Sequence, residues 1–294
     1  MPEGPEVETV ARSLAPLITG ARLGEAVVST LPLRTPITAA DLAGLAGGQV
    51  TSIGRHGKTL WIRVQTPHRH RPDGDDDRDG DDGLIVRLGM TGQLTVVKIS
   101  TPLPPHTHVQ IPFIDPAHAG TELRFRDPRR FGEVVPFVGD AGLRQACASL
   151  GPDGLRLTDA DRVLVASSLR RTSRAIKEAL LDQRVVAGVG NIYAAEACFL
   201  AGLAPTRRGT SLSRVEAMRL VDGVQETLAQ GVAHRGTSFS DYVDASGDVG
   251  DNARHLWVFL REGQGCRRCH TPIARIVQGA RSTFWCPHCQ RRRR

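Results

Sequence analysis

Four cysteines in the pattern Cys266-x2-Cys269-x16-Cys286-x2-Cys289 constrain this 294-residue chain more than any other feature. Two C-x2-C knuckles separated by the length of a hairpin are the spacing that gathers four thiolates around one tetrahedral zinc ion. A disulfide framework fits poorly, because the chain is long and opens with no basic-then-apolar leader. The stretch between the knuckles, HTPIARIVQGARSTFWC, reads as a β-hairpin turning at Gln278-Gly279-Ala280-Arg281. An arginine at a rigid hairpin tip suits a phosphate. The bland alternative is a zinc clip that only holds its end of the chain folded. Arg267, Arg268, Arg275 and Arg281 favour nucleic acid. Cys147 and Cys198 stand alone and read as buried apolar fillers.

The opposite end, MPEGPEVETV, is equally specific in a different way. Proline and glutamates suit the first turn of a helix and its positive dipole end. Removal of the initiator methionine before proline would also expose Pro2 as a secondary amine beside the Glu3 carboxylate, a nucleophile next to a proton shuttle. Residues 5–18 carry Val7, Val10, Ala11, Leu14 and Leu17 at helical spacing. Alternating runs follow in GKTLWIRVQ, LIVRLGMTGQLTVV, HTHVQIPFID and TELRFRDPRRFGEVVPFV, and predict a mostly β domain over residues 1–138. The acidic stretch 66–83 inside it reads as a solvated insertion without function. A linker is expected at 139–153. A helical domain follows at 154–256, with a Ser213/Glu216 capping box and a glycine-rich polar loop at 235–254, and then the finger at 257–294.

The net charge of +7 points to an anionic partner, nucleic acid first. Only three lysines, Lys58, Lys98 and Lys177, stand against 35 arginines, so each is a candidate for a role that needs the compact ammonium. The loop AGVGNIY offers backbone N–H groups to an anion, with Asn191 placed to cap the following helix. DPRRFG and LGMTG admit two readings. Phe131 and Met90 are either core residues, which composition favours, or a wedge that fills a duplex after a base is extruded. No run of eighteen apolar residues occurs, so no membrane span is expected.

In order and spacing, PEGPEVETV, GKTLW, LGMTG, HTHV, DPRRFG, VAGVGNIYAAE and the finger with GARSTFWC resemble the formamidopyrimidine-DNA glycosylases of the Fpg/Nei superfamily, over nearly the whole length. The resemblance implies an α+β fold: an N-terminal β-sandwich with flanking helices, a helix-two-turn-helix domain and a four-cysteine zinc finger with one structural Zn2+. It implies a bifunctional DNA glycosylase and AP lyase of base excision repair. Such an enzyme excises oxidised purines such as 8-oxoguanine and formamidopyrimidines, then cleaves the strand by β,δ-elimination. Pro2 is the implied nucleophile and Glu3 the proton-transfer carboxylate, with Glu6 a second acidic position. Lys58 and Arg281, which contact phosphate, join Pro2 and Glu3 as implied catalytic residues, and Asn191 is an implied phosphate contact of the DNA-binding set. Met90, Arg129 and Phe131 are the implied gap-filling residues, and His106 and Lys177 complete the implied DNA-binding set. Cys266, Cys269, Cys286 and Cys289 are the implied zinc ligands. The expected partner is damaged double-stranded DNA, met by a monomer in the bacterial cytoplasm or nucleoid. Gly4 in place of leucine, Arg87 where histidine is common before LGM, and Gly250-Asp251-Asn252 in the lesion-capping loop depart from the purine-specific pattern. They keep open a Nei-like enzyme for oxidised pyrimidines. A non-catalytic damaged-DNA binding protein is the reading from another class, opposed by the intact Pro2-Glu3 pair.

Overall fold

The computed structural model describes residues 2–67, 80–238 and 242–290; most of the acidic stretch, 68–79, lies outside them. The described chain divides into two units. The first holds residue 2, residues 6–148 and residues 237–250; the second holds residues 3–5, 149–236 and 251 onward.

The first unit takes most of helix α1 (Gly4–Ile18), the short strand β1 (Val27–Val28), helix α2 (Ala39–Leu42), strands β2 (Gln49–His56), β3 (Thr59–Gln65), β4 (Asp82–Arg87), β5 (Gln93–Lys98), β6 (Thr107–Pro112), β7 (Thr121–Arg126) and β8 (Glu133–Phe137), and helix α3 (Gly139–Cys147). Two four-stranded antiparallel sheets result, in the orders β2-β3-β4-β8 and β1-β6-β7-β5. The period-2 alternation explains their packing. Leu60, Ile62 and Val64 on β3 meet Leu123 and Phe125 on β7 in one core, which α1 completes with Val7, Val10, Leu14 and Ile18. This is the expected sandwich. Leu17 is only partly buried and Ile18 takes the core position instead. The stretch expected as a linker opens with α3.

Two loops of this unit interlock. Gly89, in the turn after β4, has φ +61°, and a Cβ there would lie 2.6 Å from the carbonyl carbon of Phe131. Only glycine admits both the backbone and the approach. Residues 237–250 also belong to this unit: Tyr242 and Ala245 enter its core, and the Ala245 carbonyl accepts from the Val96 N–H at 3.1 Å.

The second unit packs helices α4 (Asp159–Arg171), α5 (Ile176–Leu180), α6 (Asn191–Leu200) and α7 (Arg214–Ala233) around Leu169, Ile176, Val189, Ala194 and Leu220. The hairpin β9 (Ala274–Gln278) and β10 (Arg281–Trp285) turns through Gly279 and Ala280, both at positive φ, as a two-residue hairpin turn requires. The fully buried Glu196 of α6 accepts the backbone N–H groups of Trp257, Val258 and Phe259 at 2.7, 3.0 and 2.9 Å, which ties the approach to the finger to this helix.

The capping box is present at the start of α7, and Glu216 also receives both Nη atoms of Arg207 at 2.7 and 2.9 Å. The Arg207 hydrogen bonds hold the Glu216 carboxyl down to about 2, against the opposing effect of burial. A depressed carboxyl stabilises the fold above its unfolded value, near 4.5, and that contribution is lost as pH falls toward about 2. Glu216→Gln is therefore expected to cost on the order of 2 kcal/mol at neutral pH. It should also flatten the acid limb of a melting-temperature profile in that window, and an unchanged limb would discard the assignment. No helix among the described residues is long and apolar enough to cross a membrane.

Candidate functional site

In the first unit, Pro2, Val7, Arg34, Lys58, Arg87, Leu88, Gly89, Met90, Phe131 and Glu133 line a cleft of about 450 Å³. Pro2 is buried and lies two residues before the start of α1. Lys58 reaches it from the tight turn joining β2 to β3, where Gly57 takes φ +59°. Met90 and Phe131 come from the two interlocked loops. The Asp127 carboxylate staples that arrangement. It accepts from Thr91 Oγ1 at 2.5 Å, Gly132 N–H at 2.7 Å and Arg129 N–H at 3.3 Å. Asp127 N–H in turn donates to the carbonyl of exposed His106 at 2.9 Å. Phe131 is 45% exposed, with the Arg129 guanidinium 5.2 Å from its ring centre. The composition-based core reading of Phe131 therefore fails. On the loop that Asp127 ties, the ring stands exposed at the cleft instead. Met90 is half-buried at the cleft wall.

Arg87 lines the same cleft with its donors engaged: Nη1 on Glu133 Oε2 at 2.7 Å, Nε on Thr59 Oγ1 at 3.2 Å and Nη2 on the Ala146 carbonyl at 3.0 Å. Glu6 is buried within this unit. Its Oε1 accepts Thr237 N–H at 2.7 Å, and its carbonyl accepts the Tyr242 hydroxyl at 3.3 Å. Its observed contacts anchor the 237–250 segment.

In the second unit, Glu3 is buried against the N-terminus of α6. Its carboxylate accepts Ile192 N–H at 3.0 Å and Tyr193 N–H at 3.4 Å, where free amides and the dipole both favour an anion. A Cβ on Gly190 would lie 2.2 Å from Glu3 Cδ, so the glycine of the AGVGNIY loop clears space for this carboxylate. Gly4 packs on the same loop: its N–H donates to the Gly188 carbonyl at 2.8 Å, and a Cβ would fit tightly, 3.2 Å from Gly188 Cα. Asn191 does not cap α6. Gly190 holds the cap position, and Asn191 is the first helical residue, its side chain turned to the hairpin, with Nδ2 on the Ser282 carbonyl at 3.1 Å. Lys177 is 1% exposed and joins the same cluster, with Nζ donating to Asn191 Oδ1 at 2.6 Å and Thr283 Oγ1 at 2.7 Å. Burial pulls its ammonium down to about 8. Arg281 is exposed at the start of β10, one residue from Ser282. Asn252, by contrast, is fully buried against Gln230 and the Tyr193 hydroxyl.

The four finger cysteines place their sulfurs within 4.8 Å of one another, with 3.4 Å from Cys269 to both Cys286 and Cys289 and 3.9 Å from Cys266 to Cys289. Tetrahedral zinc with bonds near 2.3 Å separates its sulfurs by about 3.8 Å, so the set fits one zinc ion.

Sequence reasoning missed Arg34, Glu133, Asp127 and Gly190 as parts of the site. Glycine loops were legible, but nothing local marks which carboxylate a glycine must clear.

The family descriptions matched are the formamidopyrimidine-DNA glycosylase N-terminal domain over residues 1–134, the H2TH domain of the same enzymes over 150–243, and the zinc finger found in FPG and IleRS over 263–292. A formamidopyrimidine-DNA glycosylase from Thioalkalivibrio sulfidiphilus is 38% identical, across 99% of this chain and 100% of its own. Two solved structures of Lactococcus lactis Fpg, one bound to DNA containing an abasic site and one to DNA containing an oxidized pyrimidine, are 30% identical. They cover 99% of this chain and 100% of theirs, with TM-scores of 0.84 and 0.83.

Proposed function

From the premise that the chain belongs to the formamidopyrimidine-DNA glycosylase family, we propose that Pro2 is its nucleophile and Glu3 its proton-transfer group. The chain is a DNA glycosylase and AP lyase of base excision repair, with damaged DNA as its substrate and one structural zinc in its finger. The observation that carries the residue assignment is Pro2 lining a cleft with Lys58, while Glu3 is oriented by two backbone N–H groups of α6.

The neutral Pro2 nitrogen attacks C1′ of the damaged nucleotide, and the base leaves with the electrons of the glycosidic bond. Opening of the sugar ring gives an iminium between Pro2 and C1′. That cation makes the C2′ proton acidic, and its removal expels the 3′ phosphate; a second elimination expels the 5′ phosphate. Glu3 relays protons in these steps. Lys58 contacts a phosphate from the cleft wall. Asn191 and Arg281 hold phosphates on the second unit, and Lys177 acts through Asn191, since its buried ammonium touches no solvent-facing surface. Met90, Arg129 and Phe131 fill the gap left by the flipped nucleotide, supported by the exposure of Phe131 on a stapled loop; His106, which shares that staple, completes the DNA surface. On this reading residues 1–138 are the catalytic domain, 139–153 the linker, 154–256 the helix-two-turn-helix domain and 257–294 the finger. The enzyme works as a monomer in the bacterial cytoplasm.

For lesion choice we favour oxidised purines. Gly4 packs closely on Gly188, Arg87 is held by Glu133, Thr59 and the Ala146 carbonyl, and buried Asn252 is a structural anchor, so each departure has a contact within the fold. The test is borohydride trapping on duplexes carrying 8-oxoguanine opposite cytosine or thymine glycol. A Pro2 adduct on the first supports the reading. An adduct on the second alone moves the enzyme to oxidised pyrimidines, and DNA binding without any adduct makes it a damage-binding protein.

A further inference from the structure

The cleft around Pro2 carries a cation that the reaction above leaves without work. Arg34 lines it, is exposed, and has no ionic or hydrogen-bonding partner for its guanidinium among the described residues. Its backbone is nevertheless fixed from both sides. Leu33 is buried in the core, and Arg34 N–H donates to the Arg130 carbonyl at 3.0 Å. Thr35 Oγ1 donates to Glu133 Oε1 at 3.0 Å. Two residues before Leu33, the Leu31 carbonyl contacts the ring of buried His108 at 3.0 Å, and the other ring nitrogen of His108 lies 3.0 Å from the Asp127 carbonyl. The segment bearing Arg34 is thus fastened to the same loop that presents Arg129 and Phe131.

Arg87 on the same wall differs: Glu133, Thr59 and the Ala146 carbonyl take its donors. Both Glu133 oxygens are engaged in turn, by Arg87 and Thr35, and neither bonds Arg34. A guanidinium only donates, and its planar fork matches phosphate oxygens two at a time. DNA held with C1′ at Pro2 brings flanking phosphates to the cleft rim.

Resting on the glycosylase reading, we propose that Arg34 is a further substrate-binding residue, which grips a backbone phosphate next to the nucleotide engaged by Pro2. The test is fluorescence-anisotropy binding of a duplex with a tetrahydrofuran abasic analogue across a salt series. Arg34→Ala is expected to weaken binding roughly tenfold at low salt. It should also reduce the slope of log affinity against log salt by about one, the signature of one lost phosphate contact. Arg34→Gln, which keeps the stem, should match it. Arg34→Lys should restore the slope while recovering only part of the affinity, because a point charge replaces a fork. Wild-type slope and affinity in Arg34→Ala would overturn the proposal. Failure of the wild-type protein to bind this duplex would instead overturn the glycosylase reading on which it rests.

Discussion

A preparation that retains Met1, or carries a tag ahead of Pro2, is expected to bind an abasic-analogue duplex as well as the processed protein and to form no borohydride-trapped adduct. Only a neutral amine with a free electron pair attacks C1′, and only a terminal proline offers a secondary amine; inside the chain its nitrogen is an amide. Losing a nucleophile ordinarily lowers turnover by about 10³-fold or more while leaving binding groups in place. Lys58, Asn191 and Arg281 are untouched by the extension, so affinity should hold. Terminal amines titrate near about 7.7–8.0, so trapping by the processed protein should rise with pH through that range as the cation gives up its proton. Mass spectrometry of the intact chain reports the fraction lacking Met1, and trapped yield should track that fraction. Adduct formation by a fully blocked preparation would move the nucleophile elsewhere, with Lys58 the first alternative in the cleft.

Much of this architecture is written in neighbouring residues. The Ser213/Glu216 box, the two C-x2-C knuckles and the strand-forming runs of β3, β4 and β7 each lie within short stretches of sequence, and each is found where the sequence places it. The parts that were not legible depend on distant approaches. Glu3 meets the α6 N-terminus across almost two hundred residues, and the need for glycine at position 190 becomes visible only once that carboxylate is in place. Asn191 looks like a cap in sequence, yet Lys177 and the Ser282 carbonyl draw its side chain to the hairpin. Arg34 carries no local mark in a chain with 35 arginines; its candidacy rests on a pinned backbone and on Glu133 being engaged by others. The 235–254 stretch reads as a polar loop, but Tyr242 and Ala245 enter a core, which composition averaged over the loop conceals.

The hairpin's dependence on its metal sets the second large effect. The apolar cluster around the finger is small: Ala195, Phe199, Val258, Ile273 and Phe284 with the buried thiols Cys266 and Cys286. A cluster of that size supplies too little burial to offset the ordering of some thirty residues, whereas structural zinc binding contributes on the order of 10 kcal/mol or more. Cys286→Ala is therefore expected to lose the stoichiometric zinc seen by metal analysis and to unfold the hairpin. The consequence for DNA follows from the hydrogen bonds. Ser282 and Thr283 of β10 hold Asn191 and Lys177, and Arg281 precedes them. Cys286 N–H donates to Gln290, which donates to the Leu203 carbonyl at 3.0 Å and so pins the knuckle to the helical domain. Losing the hairpin removes Arg281 and releases Asn191 together, two of the proposed phosphate contacts at once. Affinity for the abasic-analogue duplex should fall by about 100-fold, with a salt slope shallower by about two. Cys147→Ala, on α3 and outside the finger, should change neither zinc content nor affinity. Wild-type affinity in a zinc-free Cys286→Ala protein would show that the finger has no part in holding DNA, and would leave Lys58 and the Pro2 cleft to carry the binding.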